Sequence, residues 1–193
     1  MNRAVIVAVG VALLVAVTHA QKKDDSGFPH TKRHGKAIVE YRDNDLDVVL
    51  AYEYSQKHHD GAWLLVDFGM RSEHRFVIER EHIRLVDADG AWFPVASERH
   101  FVEQGMQITS VRQNATIFRR DLNTYLGHVP RTLMKFFALP GEGVIITGAL
   151  VDREHNTIGE LYFENPQGEW KEGDYALLIE HPAARVKLPL TLN

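Results

Sequence analysis

Leu46-Asp47-Val48-Val49-Leu50-Ala51-Tyr52-Glu53-Tyr54-Ser55 is the stretch that decides the fold class. Leu46, Val48, Leu50, Tyr52 and Tyr54 recur at every second position. Period two over that length predicts an extended strand with one buried face. Upstream, Ala37–Tyr41 predicts a first strand and Arg42–Asp45 a turn. Downstream, Gln56–Gly61 reads as a loop and Ala62–Phe68 as a returning strand.

The same pattern continues to the end of the chain. Arg75–Glu79 and His82–Val86 are strand-like, and Asp87-Ala88-Asp89-Gly90 is a tight turn leading into Ala91–Val95. Thr132–Ala138 follows, with Pro140–Gly143 as a turn. Val144–Val151 and Ile158–Phe163 predict a hairpin across Asp152–Asn156. Tyr175–Glu180 and Arg185–Leu192 alternate again. Pro94 and Pro189 lack the N–H that a ladder needs, so both mark edge strands. About ten short strands with regular turns make an all-β sandwich or barrel. One stretch differs. Ile108, Val111, Ala115, Phe118, Leu122 and Tyr125 are spaced as one helical face, predicting a helical insertion over about residues 107–126, with a further segment before it from Ser97. Gly127 and Pro130 end it.

Two short motifs sharpen the fold class. Trp170-Lys171-Glu172-Gly173-Asp174-Tyr175-Ala176-Leu177-Leu178-Ile179 resembles the W-x-x-G-x-Y-x-L-x-I strand of secreted immunoglobulin-like sandwiches. Ile83–Pro94 is similar to a hairpin of bacterial extracellular sandwich domains of unknown function. The resemblance implies an immunoglobulin-like antiparallel β-sandwich with a tyrosine corner at Tyr175. The family's usual Asp and Cys are Lys171 and Leu177 here, so its disulfide is absent.

Targeting and charge narrow the function classes. Met1-Asn2-Arg3, the apolar run Ala4–Val17 and the small residue Ala20 form the pattern of a signal peptide cut after residue 20. Residues 21–35 then read as a flexible lead-in and 36–193 as a single domain. The expected location is the periplasm or the cell exterior, with no membrane span after cleavage. The 193-residue chain has 22 Lys and Arg against 26 Asp and Glu, a net −4, and no Cys. Losing Arg3 leaves 21 − 26 = −5. This mildly acidic, mixed charge argues against nucleic-acid binding and against a polybasic membrane surface.

Histidine is the compositional oddity, with 11 in the chain. His58, His59 and Asp60 share a loop, and imidazole ligates Zn or Cu, so these three are the candidate metal ligands. His30 and His34 are four apart. Asp43, Asp45 and Asp47 suggest calcium but lack the completed loop that calcium needs. Glu160 with Asp152, or Glu79 with Glu81, are the carboxylate pairs available for acid–base work. No G-x-S-x-G elbow is present. Trp170, before a strand, is the candidate partner contact. The leading expectation is a non-catalytic secreted or periplasmic binding or assembly module, with another envelope or extracellular protein as partner and no cofactor. A periplasmic His-based Zn or Cu binder is the alternative, and a hydrolase with an unrecognised site the third.

Overall fold

The computed structural model describes residues 27–138 and 143–193. The signal segment, residues 21–26 of the lead-in and the turn at 140–142 lie outside the described residues. The chain is mainly β. Six strands form the larger sheet: β1 (Thr31–His34), β2 (Ile38–Arg42), β3 (Leu46–Ala51), β4 (Trp63–Ser72), β10 (Asn156–Glu164) and β8 (Arg131–Met134), in that spatial order. Four form the second sheet: β12 (Ala184–Leu192), β11 (Gly173–His181), β6 (Ile83–Val86) and β7 (Trp92–Pro94). A ribbon of β5 (Phe76–Glu79) and β9 (Gly148–Val151) completes the described strands. Neighbours run antiparallel except β8, which joins β10 in parallel. Both marker prolines lie on edge strands, Pro94 in β7 and Pro189 in β12.

The two larger sheets and the ribbon share one core. Leu64, Val66, Phe68 and Met70 of β4 lie in it with Leu177 and Ile179 of β11 and Leu188 and Leu190 of β12. The other face of the six-stranded sheet is also covered. Trp63, Leu65 and Tyr162 pack beneath Ile108 and Ala115 of the helix α2 (Glu98–Ala115). Ile38, Val49 and Ala51 pack beneath Leu122 and Leu126, the latter in the short helix α3 (Asn123–Leu126). A strand buried on both faces carries apolar side chains at odd and even positions alike. That is why β4 reads as a continuous run, broken between Trp63 and Phe68 by Asp67 alone.

The helical layer contains the further segment read from Ser97 but departs from a helix continuous over residues 107–126. α2 begins at Glu98, a 3₁₀ turn follows at Thr116–Phe118, and α3 closes the segment. Ser97 caps α2: its hydroxyl takes the His100 N–H, and its own N–H donates to His100 Nδ1 at 3.0 Å. Gln104 has non-helical angles (φ −126°, ψ 19°) and kinks α2. Gly69 lets the layer sit down, since a Cβ there would lie 2.7 Å from Leu126 Cδ1.

Four further expectations are corrected. β3 stops at Ala51, and Tyr54 and Ser55 lie in a one-turn helix, α1 (Glu53–Lys57). Ser55 holds that turn to β4, donating to Leu65 O at 2.8 Å and accepting the Leu65 N–H at 2.9 Å. β9 and β10 form no hairpin ladder: β9 pairs with β5, and β10 with β4 and β8. Gly148 permits that exchange, because a Cβ there would meet Val77 Cγ1 at 2.7 Å. β1 lies inside the segment read as a lead-in and pairs with β2. Glu79 ends β5 while Glu81 lies in a 3₁₀ turn, so this candidate carboxylate pair, which a single strand would have placed on one face, is split between two elements.

Candidate functional site

The residues singled out by sequence do not assemble into one site. His58 stacks on Tyr54 at 4.8 Å, meets Phe118 edge-on and places Nδ1 3.1 Å from Tyr54 O. The carbonyl of His59 instead accepts the Trp170 N–H at 3.0 Å. Among the described residues no three His, Asp or Glu side chains are arranged to hold a metal ion. His34 Nε2 lies 2.6 Å from Glu40, on a strand rather than in a helical turn. In the acidic turn, Asp43 accepts the N–H groups of Asp45 and Leu46, and Asp47 is held by Arg42 and Arg71. Those carboxylates serve the turn and the guanidinium groups. Asp152 caps its own turn and faces His155 rather than Glu160.

Trp170 is corrected from a surface contact to a core residue. It is 3% exposed, donates its indole N–H to Ala62 O at 3.0 Å, and packs against Phe93 and Tyr175. Its large apolar area is better placed under the loop than in water. Tyr175 donates to Lys171 O at 2.9 Å, four residues upstream. The exposed tryptophan is Trp92 on edge strand β7, at 62%.

The side chains that do converge lie in the helical layer. Asp67 of β4 and Glu160 of β10 are directly paired across the sheet, on the face that α2 covers. Glu160 accepts the Tyr162 hydroxyl at 2.7 Å and Arg112 Nε at 3.0 Å, and Arg119 also binds it. Glu53 binds Arg120 at 2.8 Å. Burial pushes the Asp67 carboxyl up to about 6; Arg119 opposes the shift, and Glu160 and Glu53 add to it. Burial, with Glu160 beside it, also drives the Tyr162 hydroxyl upward. One carboxylate is thus tied to two guanidinium groups while its neighbour is poised near neutrality. The only sequence signal for Asp67 is its interruption of an apolar run.

A second network fixes the kink. Trp63 donates to Gln104 Oε1 at 3.1 Å, and Gln104 donates to Glu164 at 2.6 Å. Past the kink, α2 and the chain after β8 enclose a groove of about 370 Å³. Phe101, Met106 and Phe137 supply its apolar lining, and Thr109, Ser110 and Gln113 its polar lining. Val102 and Met106 stand 86% and 90% exposed on the same helix. These two fall outside the spacing that predicts the buried face, so periodicity assigns them to solvent without distinguishing them from ordinary surface. Comparison of the chain with known protein families, curated proteins and solved structures returns no match.

Proposed function

We propose that the chain is an exported, immunoglobulin-like β-sandwich that acts by binding, as a non-catalytic module contacting another component of the cell envelope. The outer surface of α2 is the binding face. The carrying observation is the exposure of Val102 and Met106 beside the groove that Phe101 and Phe137 line. Large apolar side chains cost free energy in water, and clustered ones mark contact sites. The rigid sheet beneath, anchored through Ile108 and Ala115, presents the helix in one orientation. The Tyr175–Lys171 hydrogen bond supports the immunoglobulin-like reading of β11. The signal-like first twenty residues support export.

A photoreactive amino acid at Val102, introduced into the chain in its native host, tests the reading. A discrete envelope adduct is expected, absent when the same group stands at the exposed Arg185 on β12 of the other sheet. Identical adducts at both positions, or none at Val102, overturn it. N-terminal sequencing of the released protein beginning at Gln21 checks the export step.

A further inference from the structure

We propose that the groove beside α2 is a site for an uncharged amphiphile: one alkyl or acyl chain carrying a neutral hydroxyl- or amide-bearing head. The inference rests on α2 being a binding face and names what the groove in it takes.

The lining sets the chemistry. Phe101, Met106 and Phe137 offer apolar surface, and Thr109, Ser110 and Gln113 offer hydroxyl and amide groups. None of the described lining residues is ionisable. A carboxylate or phosphate head entering this groove would give up hydration with no counter-charge among these residues to replace it. The neighbouring cation, Arg112, is bound to Glu160 and lies over the Phe137 ring at 5.6 Å. A neutral head loses far less on entry and finds donors and acceptors at Ser110 and Gln113. The volume of about 370 Å³ falls within the ~300–1,000 Å³ range of small-molecule sites.

Gly105 is the second observation. It directly follows the kink at Gln104, and in a helical conformation glycine costs up to about 1 kcal/mol of propensity relative to alanine. Side-chain packing does not require it: a Cβ at Gly105 would meet nothing within 4 Å. That open space belongs to the groove. A glycine with no internal packing reason suits close approach of another molecule to the backbone. Met106, next along, is 90% exposed, and an unbranched thioether folds readily over ligands of varied shape.

The test uses the purified full-length secreted chain and the neutral fluorophore N-phenyl-1-naphthylamine. Saturable fluorescence enhancement is expected, displaced by 1-monolauroylglycerol about tenfold more effectively than by laurate at pH 8, a difference of about 1.4 kcal/mol. Gly105→Phe is expected to fill the groove and weaken probe binding at least about tenfold, with the melting temperature unchanged or raised. Met106→Asp places a charge beside the groove and is expected to weaken the probe without unfolding the protein. Unsaturable enhancement, equal binding to Gly105→Phe, or laurate displacing as well as its glycerol ester overturns the inference. The Val102 adduct separates this from the reading beneath it. An adduct with no probe site removes the amphiphile and leaves the binding face; loss of both removes the two together.

Discussion

Asp67 and Glu160 face each other across β4 and β10, yet the two carboxylates live under opposite constraints. Glu160 is clasped by Arg112, Arg119 and Tyr162, whereas Asp67 is raised to about 6 by burial, against the pull of Arg119. Both are consequences of one packing decision. Laying α2 over β4 and β10 buries a face that carries two acids, and the cations available to neutralise them come from the helical segment itself.

The first prediction follows from that pair. Asp67 holds its proton more tightly folded than unfolded, so the folded chain binds more protons between pH 4 and 6. Stability therefore falls as pH rises through that window and stays reduced above it. Asp67→Asn should raise stability at pH 7.5 by about 2 kcal/mol and leave it little changed at pH 4. Urea midpoints at the two pH values measure this; equal shifts at both would contradict it. Glu160→Gln should lower the Asp67 pKa, because a repulsive neighbour is removed and Arg119 is released. Carboxyl chemical shifts across a titration would read that change directly.

Glycine substitutions should act in opposite directions at two positions. A Cβ on Gly159 would sit 2.3 Å from Met134 O, so the parallel docking of β8 on β10 needs a residue without one. Gly159→Ala should cost at least about 2 kcal/mol and increase hydrogen exchange in Arg131–Met134 first. Gly105→Ala meets open space and should stabilise by about 0.5–1 kcal/mol. Thermal unfolding of the two variants side by side decides it. A neutral Gly159→Ala would mean that β8 does not approach β10 so closely in solution.

The two tryptophans should separate as sharply. Trp170→Ala removes a side chain packed against Phe93 and Tyr175, together with its bond to Ala62 O. It should cost about 3–5 kcal/mol. Trp92→Ala removes a side chain that is mostly in water and should change stability by less than about 0.5 kcal/mol. Chemical denaturation of each, with Trp fluorescence as the signal, tests the assignment. Comparable losses would put Trp92 in the core as well.

These positions show how much was legible in the residues and where legibility ended. Alternation located most strands because one face of each sheet is buried, and it worked best for β11 and β12, where a single core lies beneath them. The prolines located edges because a missing N–H has one tolerable place. Alternation failed at Tyr52–Ser55. Tyr52 turns its hydroxyl to the Thr191 N–H at 3.1 Å and Ser55 pairs with Leu65, both long-range contacts that no local pattern encodes. The helical spacing found the inward residues Ile108, Ala115 and Leu122 but ran the helix through Arg119–Asp121, where side chains reach back to Glu160 and Glu53 instead of continuing the coil. The groove was invisible because it joins α2 to Phe137, and that adjacency is made by tertiary packing. Trp170 misled for a related reason: a loop position in sequence does not reveal that Phe93 lies over it.

The last prediction concerns two histidines outside the candidate metal ligands, His82 and His181, whose ring nitrogens accept backbone hydrogen bonds. His181 Nδ1 accepts the Ala183 N–H at 3.0 Å, and His82 Nδ1 accepts the Glu79 N–H at 3.1 Å. The two rings meet edge-on at 4.7 Å, and His181 stacks on Phe76. An Nδ1 that accepts must be unprotonated, so the turn at His181 depends on a neutral ring. Burial, then the nearby His82, hold His181 below its usual 6.5, with Glu79 opposing. A base depressed in the folded state binds its proton more readily unfolded. Its stabilising contribution is complete above pH 6.5 and is lost as pH falls through the depressed value. This runs opposite to Asp67, which gains on acidification, and the two partly cancel in the wild type. His181→Asn separates them: an Asn side-chain oxygen accepts the N–H two residues on, as the imidazole does, and does not titrate. The variant should lose a fixed increment of stability at every pH, from the missing Phe76 contact, and lose the downward step below 6.5. Urea midpoints at pH 7.5 and 5.5 measure the step, and a variant as acid-sensitive as the wild type would show that His181 does not set it.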